Sequence, residues 1–230
     1  MSTPLRIYIC VLVSLPRSLL SLSAHLTYLL FQLFKMVLPV IAIVAPGAMG
    51  AAVAKRFTTA GLTVLTHLHG RSPASHKRAR DAGMQDASLS DIAQRANWVL
   101  SILPPSDAFG FAQKFREAHT TLDAGLKSAK IAFADCNAVN PETVKRIASL
   151  FTSTSIGFID AGIIGGPPSD GYDPVFYASV HPQDDQLLTE FEGLNAYGLK
   201  VSPLRGEGAG IGDASALKMS YAVRLCIYFV

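Results

Sequence analysis

The sequence predicts an α/β fold, a doubly wound and mostly parallel sheet with helices on both faces. Three observations predict it. Residues 40–44 are apolar at every position, as a strand buried on both faces must be, and they run into a glycine turn from which a helical pattern opens at once. Short apolar runs then alternate with helical patterns along the rest of the chain. No internal repeat breaks that alternation.

Each element follows from local chemistry. The first helix is expected over residues 48–59, with Gly61 supplying the left-handed residue past its end. Residues 62–68 read as the second strand. Ser88 and Asp91 have the spacing of a capping box, opening a short helix through Ala96. Residues 98–103 form an apolar strand that Pro104 and Pro105 stop. A helix over 106–119 tolerates Gly110, and residues 130–135 return to strand. Asn140 is a natural N-cap with Pro141 at the first helical position, so a helix runs from there to about Phe151. Residues 155–161 read as strand and lead into a loop holding Gly162, Gly165, Gly166, Pro167 and Pro168. Strand, helix and strand are expected over 175–180, 183–194 and 198–202. Alternate glycines from Gly206 to Gly212 then make a flexible loop, and Asp213 caps a helix with Lys218 in its second turn.

The turn after the first strand carries the first chemical signal. Gly47, Ala48, Met49 and Gly50 stand where a helix N-terminus would meet a pyrophosphate: Gly47 lets the backbone approach, and Gly50 lets the helix pack on the strand. The full G-x-G-x-x-G pattern is incomplete, since Ala45 occupies its first position. At the tip of the second strand, about 20 residues on, an acid would normally grip a ribose 2′-hydroxyl. Here His67, Leu68, His69 and Gly70 precede Arg71 and Ser72, and Lys77, Arg78 and Arg80 follow. A guanidinium fork matches a phosphate in charge and geometry, so NADP(H) is expected over NAD(H). Against this stands the plainer reading of a solvated basic helix. Leu103 and Pro104 would border the nicotinamide, because ligands in such sheets sit beyond the strand carboxyl ends.

Composition sets the class. Of 230 residues, 50% are apolar and only 16% charged, so the chain is globular with length for a substantial core. A net charge of +3 is too small to point to nucleic acid. Cys10, Cys136 and Cys226 are far apart, giving neither a metal-ligand spacing nor a disulfide framework and fitting a reducing compartment, the cytoplasm. No metal site is expected. Residues 1–35 differ in kind, with Arg6, Arg17 and Lys35, no acid and two apolar runs. Three readings stay open: a mitochondrial presequence, a signal or membrane anchor with runs short of the roughly 20 residues a span needs, or a chain that effectively starts at Met36. In each, the segment lies outside the fold and a membrane role is not expected.

Taken in order, Gly47–Gly50, Arg71–Ser72, Ser101–Pro104, residues 135–141, residues 160–166 and residues 212–218 resemble the β-hydroxyacid dehydrogenase superfamily. That superfamily includes the 6-phosphogluconate and 3-hydroxyisobutyrate dehydrogenases. The likeness covers residues 37–222 and is nearest to fungal 6-phosphogluconate dehydrogenase-like NAD(P)-binding proteins. It implies a Rossmann-type NAD(P)-binding domain over 36–205 and, over 206–230, the start of the helix that leads to an all-helical domain. It further implies hydride transfer between the nicotinamide and a small hydroxy acid, with Lys218 as general base, Asn137 near the reacting end and Gly165 and Gly166 at the substrate. A homodimer through the helical region is the implied assembly. Two positions depart from the family pattern: Ile164 replaces the substrate-binding serine, and Tyr221 or Ala222 stands where an asparagine follows the lysine. The chain ends at Val230 on an apolar tail, which reads as a truncated or mis-spliced product. A non-catalytic NADP-binding module is the competing expectation.

Overall fold

In the computed structural model, residues 38–123, 125 and 130–228 are described, without the side chains of 225–228. The N-terminal extension with Cys10, the Cys226 side chain and the last two residues of the apolar tail lie outside the described residues. The strands are β1 (Ile41–Ile43), β2 (Val64–Thr66), β3 (Gln85–Asp86), β4 (Trp98–Ser101), β5 (Ile131–Asp135), β6 (Ile156–Ile164), β7 (Val175–Ser179) and β8 (Val201–Pro203). The helices are α1 (Ala48–Thr59), α2 (Pro73–Asp81), α3 (Leu89–Arg95), α4 (Pro105–Thr120), α5 (Pro141–Ser149), α6 (Asp185–Glu192) and α7 (Asp213–Tyr228).

The strands form a single sheet in the order β3-β2-β1-β4-β5-β6-β7-β8. Every adjacent pair is parallel except β6 with β7. Chain order reverses between β1 and β4, and a crevice opens there beyond the strand carboxyl ends. Alternation along β1 explains why its whole run is apolar. Ile41 and Ile43 enter one core with Val53, Phe57 and Phe191, while Ala42 and Val44 enter the other with Phe115, Phe133 and Phe151. The expected doubly wound fold is present, with both faces covered.

Local rules placed several elements well. α1 spans the expected residues, and Gly61 follows it at φ 88°. The Ser88–Asp91 capping box forms with both reciprocal hydrogen bonds. Asn140 caps α5, accepting from the Thr143 N–H at 2.8 Å. Other expectations need correction. β2 and β4 are shorter than expected, and β3 was not foreseen. The 183–194 helix is α-helical only over Asp185–Glu192, with 3-10 turns on either side. The loop expected from Gly162 is strand as far as Ile164, because β7 pairs antiparallel with β6 along that length. Among the described residues no helix is long and apolar enough to cross a membrane.

Gly50 shows how tightly the first turn closes. A Cβ built there would overlap the Ala45 carbonyl oxygen and press on the Ile43 side chain at 3.2 Å. Gly50→Ala must therefore push α1 off β1, and overpacking of this kind costs about 1–3 kcal/mol. A lowered urea midpoint at unchanged slope is the expected result.

Candidate functional site

The turn over β1 presents bare backbone. Gly47 is the N-cap of α1 in extended geometry, and both Gly47 and Ala48 are exposed while Met49 is half-buried. No side chain caps this helix and no acid lies in its first turn. Each of the other six described helices has one or the other: side-chain caps on α2, α3 and α5, and first-turn acids on α4, α6 and α7. Unpaired N–H groups and the positive end of a helix dipole make such a terminus receptive to an anion. These features fit a pyrophosphate.

Beyond β1, β2 and β4 is a cleft of about 460 Å³ lined by Val44, His69, Arg71, Leu103, Asp107 and Lys114 among others, and Gly47–Gly50 are not among its lining residues. The Arg71 backbone N–H donates to the Leu68 carbonyl at 2.9 Å. Its guanidinium has no hydrogen-bond or ion-pair partner among the described residues. Ser72 does not line this cleft; its hydroxyl caps α2 by accepting from the Ser75 N–H at 3.3 Å. In the basic run after it Lys77 and Arg80 are exposed, and only Arg78 is drawn in. Arg78 Nε donates to the Pro46 carbonyl at 2.7 Å, bracing the glycine turn from α2. The run from His67 to Ser72 holds no acid, but β3 brings Asp86 to the tip of β2, where its carboxylate accepts from the Leu68 N–H at 3.0 Å.

The far side of the crevice is built around a buried polar row. Ser101, Asp135, Asp160 and Ser179 are paired in register across β4, β5, β6 and β7. Each is 1% exposed or less. Asn137, also buried, is spent inside this network: its Nδ2 donates to Ser101 Oγ at 2.9 Å and to Asp135 Oδ1, and its Oδ1 accepts from the Leu103 N–H at 2.6 Å. Asn137 is thus committed to holding Leu103, with Pro104 next to it as the N-cap of α4.

Asp160 serves α7. Its carboxylate accepts from the Gly212 N–H at 2.9 Å, the Ser215 N–H at 3.2 Å and the Ser215 hydroxyl at 2.7 Å. Asp213, expected as the cap, is instead the first residue of the helix and accepts from the Gly210 N–H at 2.8 Å. Close approach of α7 to β6 depends on Gly162, where a Cβ would stand 2.7 Å from the Ala214 carbonyl oxygen and 3.1 Å from Lys218 Cβ. Lys218 is thereby laid across the ends of β5 and β6. Its Nζ donates to the Cys136 carbonyl at 3.5 Å. Burial pushes the Lys218 amine below its ordinary value, opposed by the neighbouring Cys136 and Asp135. Gly165 lies beyond the end of β6 at φ 126°, a left-handed conformation that suits glycine, and the Gly166 N–H donates to the Tyr172 hydroxyl at 3.2 Å.

Burial pushes the Asp135 carboxyl up from 3.8 to about 7, against the Asn137 hydrogen bond and with the help of the Asp160 charge. A carboxyl raised by folding stabilises below its unfolded value, and that contribution fades as pH climbs through the folded value. Relative to Asp135→Asn, the wild-type urea midpoint should therefore fall between about pH 4 and pH 7. A difference that stays flat across that window would show that Asp135 ionises freely.

The family model for the NAD-binding domain of 6-phosphogluconate dehydrogenase matches residues 40–179. No curated protein matches the sequence. Among solved structures, a conserved protein of unknown function described as structurally similar to 3-hydroxyacid dehydrogenases is 31% identical, with a TM-score of 0.65 over 80% of this chain and 63% of its own. The 3-hydroxyisobutyrate dehydrogenase of Mycobacterium tuberculosis, solved with L-serine, is 19% identical at TM-score 0.61, over 82% and 60%. A reductive aminase from Aspergillus terreus, solved with NADPH and ethyl levulinate, is 19% identical at TM-score 0.64, over 84% and 63%. The last two show a shared fold, and the chain spans under two thirds of the length of all three. By the model match over most of its sheet, this chain belongs to the family of the NAD-binding domain of 6-phosphogluconate dehydrogenase, within the β-hydroxyacid dehydrogenase superfamily.

Proposed function

We propose that the chain is the NADP(H)-binding part of an oxidoreductase of the β-hydroxyacid dehydrogenase type, acting on a small hydroxy acid. The observation that carries this reading is the seat of Lys218, a half-buried amine held at the carboxyl end of β5. When bound, the nicotinamide supplies the hydride acceptor or donor. The protein supplies the remainder. The first turn of α1, Gly47 to Gly50, holds the pyrophosphate on its N–H groups, and Arg71 grips the 2′-phosphate with Ser72 beside it. Leu103, steadied by Asn137, and Pro104 line the nicotinamide side. Gly165 and Gly166 lie at the substrate, with the Gly166 N–H held by the Tyr172 hydroxyl.

Removing hydride from carbon requires the hydroxyl proton to leave as well, so a neutral amine within hydrogen-bond reach is the apt acceptor. Burial supports Lys218 in that role by favouring its uncharged form. The unpartnered Arg71 guanidinium in the cleft supports NADP(H) over NAD(H). The test is turnover of small 2- and 3-hydroxy acids with NADP, followed by nicotinamide absorbance, beside a binding titration with NADPH. Turnover that requires Lys218 supports the oxidoreductase. Binding without any turnover would leave a nucleotide-binding module.

A further inference from the structure

Asp135 is only half satisfied in the core. It is 1% exposed, its Oδ1 accepts from Asn137, and its Oδ2 has no hydrogen-bond partner among the described residues. Leaving a buried acceptor unpaired costs stability, and a carboxylate costs more than a neutral group. Its neighbour Asp160, one strand over in the same register, is fully engaged with the start of α7. The two acids thus divide one row between them. Asp160 anchors the helix that carries Lys218, while Asp135 stands one residue before the carbonyl on which the Lys218 amine rests.

We propose that Asp135 is a positioning residue for Lys218, its unpaired carboxylate oxygen supplying the negative charge that governs when the amine holds a proton. The proposal rests on the reading of Lys218 as general base. The titratable groups acting on the amine are Asp135, the last residue of β5, and Cys136 just beyond it, while Asp160 on β6 is bonded to the start of α7 and Lys145 of α5 brings its Cε against Gly212. Burial keeps the Cys136 thiol protonated, and the hydrogen bonds of Asp160 are all directed at α7 and Ser179. That leaves Asp135 as the acid with an uncommitted oxygen. The field between Asp135 and Lys218 acts in both directions: each charge favours the other, while burial opposes both. The same Asp135 fixes Asn137, and through it Leu103, so one carboxyl adjoins both the cofactor-side loop and the amine.

The test reads Lys218 directly, without turnover. Only the neutral amine reacts with acetic anhydride, so the pH midpoint of Lys218 acetylation, followed by peptide mass spectrometry, reports its protonation. Asp135→Asn should lower that midpoint by on the order of one pH unit, and Asp135→Glu should restore it toward wild type. The reciprocal measurement leaves Asp135 in place. In Lys218→Met, the carboxyl titration of Asp135 followed by carbon NMR should move up by a similar amount, as linkage demands. Midpoints that stay put in both experiments would overturn the proposal, even in an enzyme that turns over. Coupled shifts in a chain that turns over no hydroxy acid would keep the proposal and sink the oxidoreductase reading instead.

Discussion

Lys218→Ala is expected to lower kcat/KM for hydroxy-acid oxidation by about 10²–10⁴-fold, the usual worth of a positioned acid or base, while NADPH binds as before. The separation of the two readouts follows from geometry. Lys218 lies over the ends of β5 and β6, whereas Arg71 and Leu103 line the cleft beyond β2 and β4. Removing the amine takes nothing from that cleft, since Lys218 does not line it. The variant also takes from the buried Asp135 carboxyl the cation that favours its charged form, a stability cost that a thermal midpoint at neutral pH detects. A loss of turnover with an unchanged NADPH titration and an unchanged thermal midpoint at acid pH would assign the effect to proton transfer. An equal loss of NADPH binding would mean that the helix start had moved.

Arg71→Ala should weaken NADPH and spare NADH. A hydrogen bond to a charged group is worth about 1.5–3 kcal/mol, which corresponds to roughly 10- to 150-fold in Kd. NADH lacks the 2′-phosphate, so its affinity should stay within about twofold on the same scale. Arg71→Lys should recover only part of the loss, since an ammonium cannot reproduce a bidentate fork. Lys114 lines the same cleft and offers a second cation, but it is on α4, across the crevice from the tip of β2. If both nucleotides weaken alike, Arg71 touches a part of the cofactor that they share.

How much of this could be read from the sequence depends on how local each cause is. α1, the Ser88 capping box and the Asn140–Pro141 helix start were legible because a few adjacent residues determine them. β3 was not: its two residues are both exposed at the sheet edge and carry no apolar pattern. Gly162 looked like loop because glycine is common in turns. Its reason lies 52 residues away or more, in the Ala214 carbonyl and Lys218 side chain that leave no room for a Cβ. The cap of α7 was misplaced for the same kind of reason. Asp213 has the right residue type, but Asp160 from β6 reaches the helix start first. Arg78 likewise looked like one more solvated cation, and only the fold brings the Pro46 carbonyl within its reach. The candidate site residues were thus legible as residue types at plausible spacings. The partnerships that orient them were not, since sheet register sets those.

Calorimetric titration of the wild-type chain with NADPH and then NADH tests the central claim most directly, that a phosphate-bearing nicotinamide cofactor is held between the Gly47–Gly50 turn and Arg71. One site per chain is expected, with NADPH the tighter ligand and its advantage removed in Arg71→Ala. Heat indistinguishable from dilution for both nucleotides at millimolar concentration would contradict it.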